Sequence, residues 1–286
     1  MIINCKEFVA EHKRTLTSSI KLMEASNKTL AVIQVGDNQA SNSYIKGKQK
    51  DREEIGLGFQ HIKLPVETSE EAVISIIYNL SIRDDVAGII VQLPLPPHIN
   101  EENVVNAVPL EKDVDGFRAN SPFTPCTPLG IIRILEDTGN YVWGKTVCVI
   151  GQGKTVGQPL IKELIKNGAT IISCNSKTPR EKVLGYIQNS DIVITAAGRA
   201  NLISKANFWN KDKMQYVYPD IIVDAGINRD DNGKLCGDCS KDLYEENVRI
   251  TPVPGGVGLY TRLSLMENTF MSILREEIDN HNPKGE

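Results

Sequence analysis

The sequence lacks several features that would assign it to a special class of protein. No apolar run in its 286 residues approaches the length of a membrane span, and residues 1–7 contain no signal-peptide core. Its formal net charge of −4 argues against binding to nucleic acid or to an anionic membrane. We therefore expect a cytoplasmic protein with no nucleic-acid or membrane partner.

Cysteine is also sparse. The six cysteines stand at positions 5, 126, 148, 174, 236 and 239, and only the last two are closely spaced. No second pair stands near enough to form a zinc ribbon, so we expect no metal site. Scattered thiols of this kind are typical of a reducing compartment.

What the chain does have is the size and patterning of a two-domain α/β protein. At 41% hydrophobic and 24% charged residues it can bury two sizeable cores. Strand-like and helix-like stretches alternate, which predicts parallel sheets. In the first series we predict strands at 30–35, 58–64 and 88–93, and helices at 7–25, 40–55 and 69–80. In the second we predict strands at 146–150, 169–174, 191–196 and 220–224, and helices at 156–167 and 178–187.

A loop-rich bridge separates the two series. Residues 109–128 contain four prolines, and the second series begins after them. We assign residues 1–119 to the first domain and residues 120–260 to the second. A last helix, about 261–286, follows the second sheet and is assigned to the first domain.

A glycine-rich segment follows the strand predicted at 146–150. It has the spacing G-x-G-x-x-x-G, from Gly151 through Gly153 to Gly157, one residue longer than the common dinucleotide fingerprint. Glycines permit a tight turn, and the next helix offers free N–H groups and a positive dipole end to a pyrophosphate. An ordinary strand-to-helix turn, in which glycine only avoids strain, is the alternative.

Tyr44 and Lys48 are four residues apart in a segment with helical periodicity, so both project from one face. The pair suits proton handling, because a partly buried lysine loses its charge more readily than a free one. A solvated basic face formed by Lys46, Lys48 and Lys50 is the alternative. Short-chain dehydrogenases also use Tyr-x-x-x-Lys, but their pair follows the glycine loop, whereas this pair precedes it.

Three further segments are typical of a ligand site. Gln92 closes an apolar strand just before two prolines, and this rigid exit can present it into a cleft. Asp113 and Asp115 flank a valine. Either carboxylate can accept two hydrogen bonds from an amino-pyrimidinone edge, or can stabilise its own loop. Residues 252–258 include two prolines and three glycines, which suits either a backbone wall against a flat ligand or a merely rigid loop.

Together, and in this order, five segments resemble one enzyme family. The segments are Val35–Lys50, Val91–Pro96, Lys112–Gly116, Pro125–Gly130 and Pro252–Gly258. They are similar to those of bifunctional methylenetetrahydrofolate dehydrogenase/methenyltetrahydrofolate cyclohydrolase, the FolD family. The resemblance extends from about Gly36 to Asn268, which is most of the chain.

The resemblance implies an architecture and a reaction. It implies an N-terminal folate-binding catalytic domain, a C-terminal Rossmann-type domain that binds NAD(P), a folate cleft between the two, and a homodimer. It also implies oxidation of 5,10-methylenetetrahydrofolate to the methenyl form with NAD(P), followed by hydrolysis to 10-formyltetrahydrofolate. These are steps of one-carbon metabolism that serve purine biosynthesis.

The resemblance also implies roles for particular residues. Lys48 matches the catalytic lysine, Gln92 the glutamine that holds it, and Tyr44 the tyrosine that orients and stacks beside the substrate. Asp115 matches the carboxylate that grips the pterin edge, as a fourth member of the catalytic set. The folate-binding wall is expected at Pro254, Gly255 and Gly256.

The cofactor half departs from the family pattern. The family's Gly-Arg-Ser is Gly151-Gln152-Gly153 here, and a neutral glutamine cannot supply the charge that helps to bind the 2′-phosphate of NADP. No acid follows the next strand to take the ribose 2′-hydroxyl of NAD. On balance we favour NADP and leave NAD open. The expected cofactor contacts are Gly151, Gln152, Gly153, Val156, Gly157, Ser176, Lys177 and Ile227.

Two other classes of protein are kept as alternatives. A different two-domain dehydrogenase, acting on amino acids or shikimate, would give no reason for Lys48, Gln92 and Asp115 to occur together. A non-catalytic folate or nucleotide sensor would not need all the substrate-side residues. A separate departure is Tyr260, which stands where the family has methionine and is expected to affect the fit of folate.

Overall fold

The computed structural model describes residues 1–281 and divides them into two compact units. The three-stranded unit consists of residues 10–126 and 262–281, and the five-stranded unit of residues 1–9 and 127–261. Each unit is built on a parallel sheet. The predicted α/β class with two domains is therefore confirmed. Within residues 1–281, no helix has an apolar stretch long enough to cross a membrane.

The first elements of the chain include the strands of the three-stranded sheet, which lie in the order β2-β1-β3. They are α1 (Cys5–Leu22), β1 (Thr29–Val35), α2 (Gln39–Ile55), β2 (Gly58–Leu64), α3 (Glu70–Ser81), β3 (Val86–Val91) and α4 (Glu101–Ala107). All residues of β1 except the first are buried, and so are all residues of β3. Such continuous apolar runs occur because helices cover both faces of a parallel sheet.

The remaining elements include the strands of the five-stranded sheet, which lie in the order β12-β9-β6-β4-β5. They are α5 (Cys126–Asp137), β4 (Thr146–Ile150), α6 (Gly157–Lys166), β5 (Thr170–Cys174), α7 (Arg180–Gln188), β6 (Ile192–Thr195), β7 (Trp209–Asn210), β8 (Gln215–Tyr216), β9 (Ile221–Asp224), β10 (Asn228–Arg229), β11 (Leu235–Cys236), β12 (Arg249–Ile250) and α8 (Val257–His281). Two short antiparallel pairs, β7–β8 and β10–β11, lie outside this sheet.

The strand order places a ligand crevice at the end of β4. The chain leaves β4 for β5 on one side and later places β6 on the other side. Where the order reverses, the loops at the carboxyl ends of the strands diverge and leave a crevice. The glycine-rich segment follows β4 directly and therefore lies at this crevice.

Each unit has its own apolar core. In the three-stranded unit, one face of the sheet packs against α1, α2 and α8 through residues such as Ile20, Ile45 and Met266. Its other face packs against α3 and α4, with Ile77 and Val104 fully buried. The five-stranded unit has a separate core.

The structure adds elements that the sequence patterns did not predict. Helix α4 and the five two-residue strands were not expected, because short elements show too little periodicity to detect. Helix α5 was also not expected, because its first residues overlap the proline-rich stretch 109–128 that was interpreted as a bridge. Helix α8 begins at Val257, four residues before the predicted start, and residues 282–286 of that prediction lie outside the described residues. At the other end, Ile2 forms a bridge with Ile250, so residues 1–9 belong to the five-stranded unit.

Candidate active site

Lys48 lies on α2 in a mostly buried position. It is 5% exposed, and its Nζ donates a hydrogen bond to Gln92 Oε1 at 3.2 Å. The same Nζ lies 5.6 Å from the centre of the Tyr44 ring, one helical turn earlier. This burial decides against the alternative that Lys48 belongs to a solvated basic face. Three residues of the expected site are therefore in contact: Tyr44, Lys48 and Gln92.

Gln92 is held in one orientation by the strand that precedes it. Its backbone N–H donates to Ile33 O at 2.8 Å, which continues the pairing of β3 with β1. Its side-chain Nε2 donates to Leu93 O at 2.8 Å. Because the amide nitrogen is engaged there, the carbonyl oxygen points to Lys48 Nζ. An amide oxygen can only accept, so this contact orients the lysine as a donor.

The sequence pattern does not distinguish Asp113 from Asp115, but the two carboxylates have different burial and different hydrogen-bond partners in the structure. Asp113 is 3% exposed and accepts hydrogen bonds from the backbone N–H groups of Arg118 at 3.0 Å and Phe117 at 3.4 Å. Burial raises the pKa of Asp113, and these hydrogen bonds oppose the rise. Asp113 therefore stabilises its own loop. Asp115 makes no such loop contact and is half-buried.

Cys126 links Asp115 and Lys48 and was not singled out as a site residue by the sequence patterns. Its thiol is buried, which raises its pKa well above the usual value; the charge of Asp115 raises it further, and that of Lys48 lowers it. Both charged groups therefore lie near this thiol. Asn268 of α8 fixes the surrounding loops by donating to Val114 O at 2.9 Å and Thr124 O at 3.0 Å.

The proline- and glycine-rich loop belongs to the five-stranded unit and ends where α8 begins. Gly255 has a φ of +103°, a conformation that side chains other than glycine rarely adopt. A Cβ on Gly256 would lie 2.4 Å from Pro252 O. The loop therefore needs both glycines for its backbone path. Pro254 is exposed on it.

The glycine-rich segment forms a close-fitting turn between β4 and α6. Gly151 has a φ of +122°, and a Cβ there would lie 2.2 Å from Ala196 O. A Cβ on Gly157 would lie 2.0 Å from Gly151 O. Gly153 has open space around it. A backbone cradle of this shape at the start of a helix fits a dinucleotide pyrophosphate, because only glycine allows so close an approach.

A cleft of about 600 Å³ opens at this cradle. The expected cofactor residues that line it are Gly151, Gln152, Gly153 and Ser176. Val156 and Gly157 instead form the turn into α6, while Lys177 and Ile227 are exposed outside the lining. Five polar residues that were not among the expected contacts also line the cleft: Asn175, Thr178, Arg180, Arg199 and Asn207. The first four follow the carboxyl ends of β5 and β6, and this position in the sequence is the signal that could have identified them.

Gln152 is engaged in a neutral hydrogen-bond network. Its Nε2 donates to Ser173 Oγ at 2.7 Å, and its Oε1 accepts from Asn175 Nδ2 at 2.9 Å. The Asn175 Oδ1 in turn accepts from the Lys177 backbone N–H at 2.9 Å. These hydrogen bonds connect the carboxyl ends of β4 and β5, and no charged side chain takes part in them.

Tyr260 has a structural contact within its unit. It is fully buried, and its hydroxyl donates to Asp137 Oδ2 at 2.5 Å. A Cβ on Gly130 would lie 2.9 Å from the Tyr260 carbonyl carbon, so the helices α5 and α8 approach closely here. The ring thus packs within the five-stranded unit.

A glycine cradle at the switch point of a parallel sheet, in a chain that also has a buried lysine on a second α/β unit, defines a two-domain enzyme of the dinucleotide-dependent oxidoreductase class. Residues 3–115 match the description "Tetrahydrofolate dehydrogenase/cyclohydrolase, catalytic domain", and residues 125–277 match its "NAD(P)-binding domain". The chain therefore belongs to the tetrahydrofolate dehydrogenase/cyclohydrolase family and is a bifunctional NAD(P)-dependent enzyme. The family membership decides against a dehydrogenase of amino acids or shikimate.

Individual relatives cover nearly the whole chain. A bifunctional protein FolD from Lysinibacillus sphaericus is 41% identical over 94% of this chain and 95% of its own length. The crystal structure of the FolD enzyme from Campylobacter jejuni is 34% identical, with a TM-score of 0.87 over 96% of this chain and 99% of its own. A Trypanosoma brucei FolD complexed with NADP and an inhibitor is 27% identical, with a TM-score of 0.86 over 96% and 98%.

Proposed function

We propose that the oxidation of methylenetetrahydrofolate and the hydrolysis of the methenyl product use one folate site, with Lys48, Tyr44, Gln92 and Asp115 as its reactive and orienting groups. The observation that supports this most directly is the buried Lys48 Nζ held by Gln92 Oε1 beside the Tyr44 ring. A buried amine with a fixed direction is the group that a proton-transfer step needs.

The hydrolysis requires three proton movements. Water adds to the cationic methenyl carbon and loses one proton, which gives a neutral tetrahedral intermediate. The bond from that carbon to N5 then breaks as N5 takes up a proton, and the hydroxyl group loses its proton to solvent, which leaves a neutral formyl group on N10 and releases one proton overall. We assign to Lys48 the acceptance of the first proton and its return to the leaving nitrogen. The hydrogen bonds that hold Gln92 and join it to Lys48 Nζ support a fixed direction of the amine.

The oxidation makes a different demand on the protein. Bound NAD(P) accepts a hydride from the methylene carbon, and the remaining task is to hold two flat rings in the correct geometry. We assign folate holding to Tyr44, Asp115 and the wall of Pro254, Gly255 and Gly256. Cofactor holding is assigned to the cradle of Gly151, Gln152 and Gly153, the turn of Val156 and Gly157, and the contacts Ser176, Lys177 and Ile227.

The direct test is to supply the purified protein with 5,10-methylenetetrahydrofolate and either NAD or NADP, and to follow both the methenyl and the 10-formyl product. We expect both products to form. The methenyl compound supplied alone should be hydrolysed without a redox change. Formation of neither product by a folded protein would contradict the proposed function.

Asp115→Ala tests the contact with the pterin edge. Removing the carboxylate leaves ligand N–H donors without a partner in a half-buried site, which should weaken folate binding by roughly 1–3 kcal/mol. The dissociation constant of the dinucleotide should stay the same. Titration calorimetry with folate and with cofactor measures both; a selective loss of cofactor affinity would place Asp115 elsewhere.

Asp113→Ala is the matched control for that experiment. It removes a carboxylate two residues away that holds the backbone of its own loop. We expect it to lower the free energy of unfolding, by roughly 1–3 kcal/mol, because two backbone donors lose their acceptor. Chemical denaturation distinguishes this loss of stability from the loss of affinity expected for Asp115→Ala.

Gln152→Arg tests the cofactor preference, which we propose to be for NADP. Arginine would add a charge-assisted hydrogen bond to the 2′-phosphate, and kcat/KM for NADP should rise roughly tenfold or more, equivalent to at least about 1.5 kcal/mol. The value for NAD should change little. Because the position is exposed, high salt should reduce the gain. No gain with NADP would mean that Lys177 or Arg180 already binds the phosphate.

The larger-scale assignments are also proposals. We assign the folate domain to residues 1–119 with the helix at about 261–286, and the dinucleotide domain to residues 120–260. Residues 1–9 of the folate assignment pack with the five-stranded unit. The family resemblance implies that the protein is a homodimer and that it acts in the cytoplasm. It also implies that the protein supplies one-carbon units to purine biosynthesis. Light scattering of the purified protein measures the oligomeric state, and a monomeric mass would contradict the proposed dimer.

A further inference from the structure

Two carboxylates are completely buried beside the cofactor cleft, and the mechanism above does not use them. Asp224 ends β9, and Asp238 lies two residues after β11; both are 0% exposed. Among residues 1–281, no lysine, arginine or histidine side chain forms an ion pair with either. A buried charge without a cation is costly, so the arrangement calls for an explanation.

Neutral donors surround both carboxylates. Asp224 accepts hydrogen bonds from the Thr195 hydroxyl at 3.1 Å and from backbone N–H groups of Gly226 and Asp238 at 2.9 Å and Cys239 at 2.8 Å. Every contact is one in which the aspartate oxygen accepts, which fits an ionised carboxylate. Burial raises the pKa of Asp224, and the backbone hydrogen bonds oppose that rise.

Asp238 joins two loops that end at the ligand crevice. It accepts from the backbone N–H groups of Ala197 at 2.7 Å and Arg199 at 2.8 Å, in the loop after β6. It also accepts from Nδ2 of Asn228, the first residue of β10, at 3.0 Å. Ala197 and Arg199 line the cofactor cleft. Asp238 therefore ties a wall of the cleft to the turn that contains Ile227.

The two segments interlock through their glycines. A Cβ on Gly226 would lie 2.2 Å from Asp238 Oδ1, and a Cβ on Gly237 would lie 2.0 Å from Asp224 Oδ2. Each carboxylate thus packs against a glycine of the other segment, where no other residue fits. This reciprocal contact fixes the segment after β11 against the segment after β9, and the hydrogen bonds from Ala197 and Arg199 to Asp238 extend the link to the loop after β6.

We propose that Asp224 and Asp238 are positioning residues for hydride transfer. They fix the two loops that hold the nicotinamide end of NAD(P), and their uncompensated negative charge favours the oxidised, positively charged ring over the neutral reduced ring. The charge effect follows from Coulomb attraction in a poorly solvated region. The inference rests on the proposed function, in which Ile227 contacts the cofactor, and it takes that contact to be with the nicotinamide end.

Asp238→Asn is the main test. The amide is of the same size, but its NH₂ group must face a backbone N–H donor, so one loop contact is lost and the charge is removed. We expect kcat/KM for methylenetetrahydrofolate oxidation to fall at least tenfold. Calorimetry should show that the dissociation constant of the oxidised cofactor, divided by that of the reduced cofactor, rises at least threefold, because the removed charge favoured the oxidised form. Hydrolysis of methenyltetrahydrofolate should stay within twofold of wild type.

Two further variants keep the test decisive. Asp231→Asn removes an exposed carboxylate from the same unit and should change none of these quantities. Asn228→Ala removes one donor to Asp238 and leaves both charges, so it should lower oxidation without changing the ratio of the two affinities. It also provides the test if Asp238→Asn does not fold.

Three results would overturn the inference. They are an unchanged ratio of oxidised to reduced affinity in folded Asp238→Asn, an equal loss of oxidation and hydrolysis with a lowered melting temperature, and unaltered oxidation in Asn228→Ala. Failure of the proposed function is a different result, in which wild-type protein itself does not oxidise methylenetetrahydrofolate.

Discussion

Replacing Lys48 by methionine is expected to abolish the hydrolysis of methenyltetrahydrofolate and to leave part of the dehydrogenase activity. Methionine preserves the length and apolar stem of the side chain but cannot move a proton. General acid–base catalysis commonly contributes on the order of 10²- to 10⁴-fold, and we expect a loss of that size in the hydrolysis rate. Hydride transfer needs no protonatable amine, so its loss should be smaller.

The measurement is the rate of each step in the same preparation, with methenyl substrate for hydrolysis and methylene substrate with NAD(P) for oxidation. Lys46→Met is the matched control, because Lys46 is exposed on the same helix two residues earlier. It should keep both rates. If Lys48→Met lost both activities equally and completely while still binding folate, the separation of roles would be wrong.

Replacing Gly157 by alanine is expected to remove most dehydrogenase activity and much stability. The added Cβ would lie 2.0 Å from Gly151 O, and both atoms belong to or adjoin the backbone, so the turn must move. Overpacking of this kind lowers the unfolding free energy by roughly 1–3 kcal/mol. A displacement of about 1 Å in the cradle should lower the oxidation rate by about 100-fold.

Gly185→Ala provides the comparison. Gly185 lies inside α7 of the same unit, with open space around a Cβ and no positive φ. Alanine there should raise the unfolding free energy by about 0.5–1 kcal/mol, because glycine is a poor helix former. Thermal melts and dehydrogenase assays of both variants measure the contrast. A fully active Gly157→Ala would show that the cradle does not bind the pyrophosphate.

The pattern of apolar residues was enough to predict both sheets. Strands β1, β4 and β9 occupy residues close to the predicted ranges, because buried parallel strands appear in the sequence as continuous apolar runs. The edge strands β2 and β5 also lie close to their predicted ranges, although they are only partly buried. Apart from α5, which has 12 residues, the elements it missed are short. Helix α4 has seven residues, and β7, β8, β10, β11 and β12 have two each, lengths at which neither the helical nor the strand period can be recognised.

The site was predictable where it is local in sequence. Tyr44 and Lys48 share a helix face because four residues make about one turn, and the glycine spacing at 151–157 identifies a turn between a strand and a helix. Only four of the eight cofactor contacts expected from the sequence line the cleft. Arg180 and Arg199 lie there because β5 and β6 end at the same edge of the sheet, and no spacing in the sequence expresses that proximity.

The sequence by itself determined the α/β class, the glycine cradle and the family, since each depends on residue order and local spacing. Only the tertiary structure decided which polar groups meet. Lys48 and Gln92 are 44 residues apart, and Ala197 and Asp238 are 41 apart. Likewise, Asp113 faces the N–H groups of its loop, whereas Asp115 lies near the Cys126 thiol. Such choices depend on the paths of loops, because a hydrogen bond needs its donor and acceptor within about 3 Å.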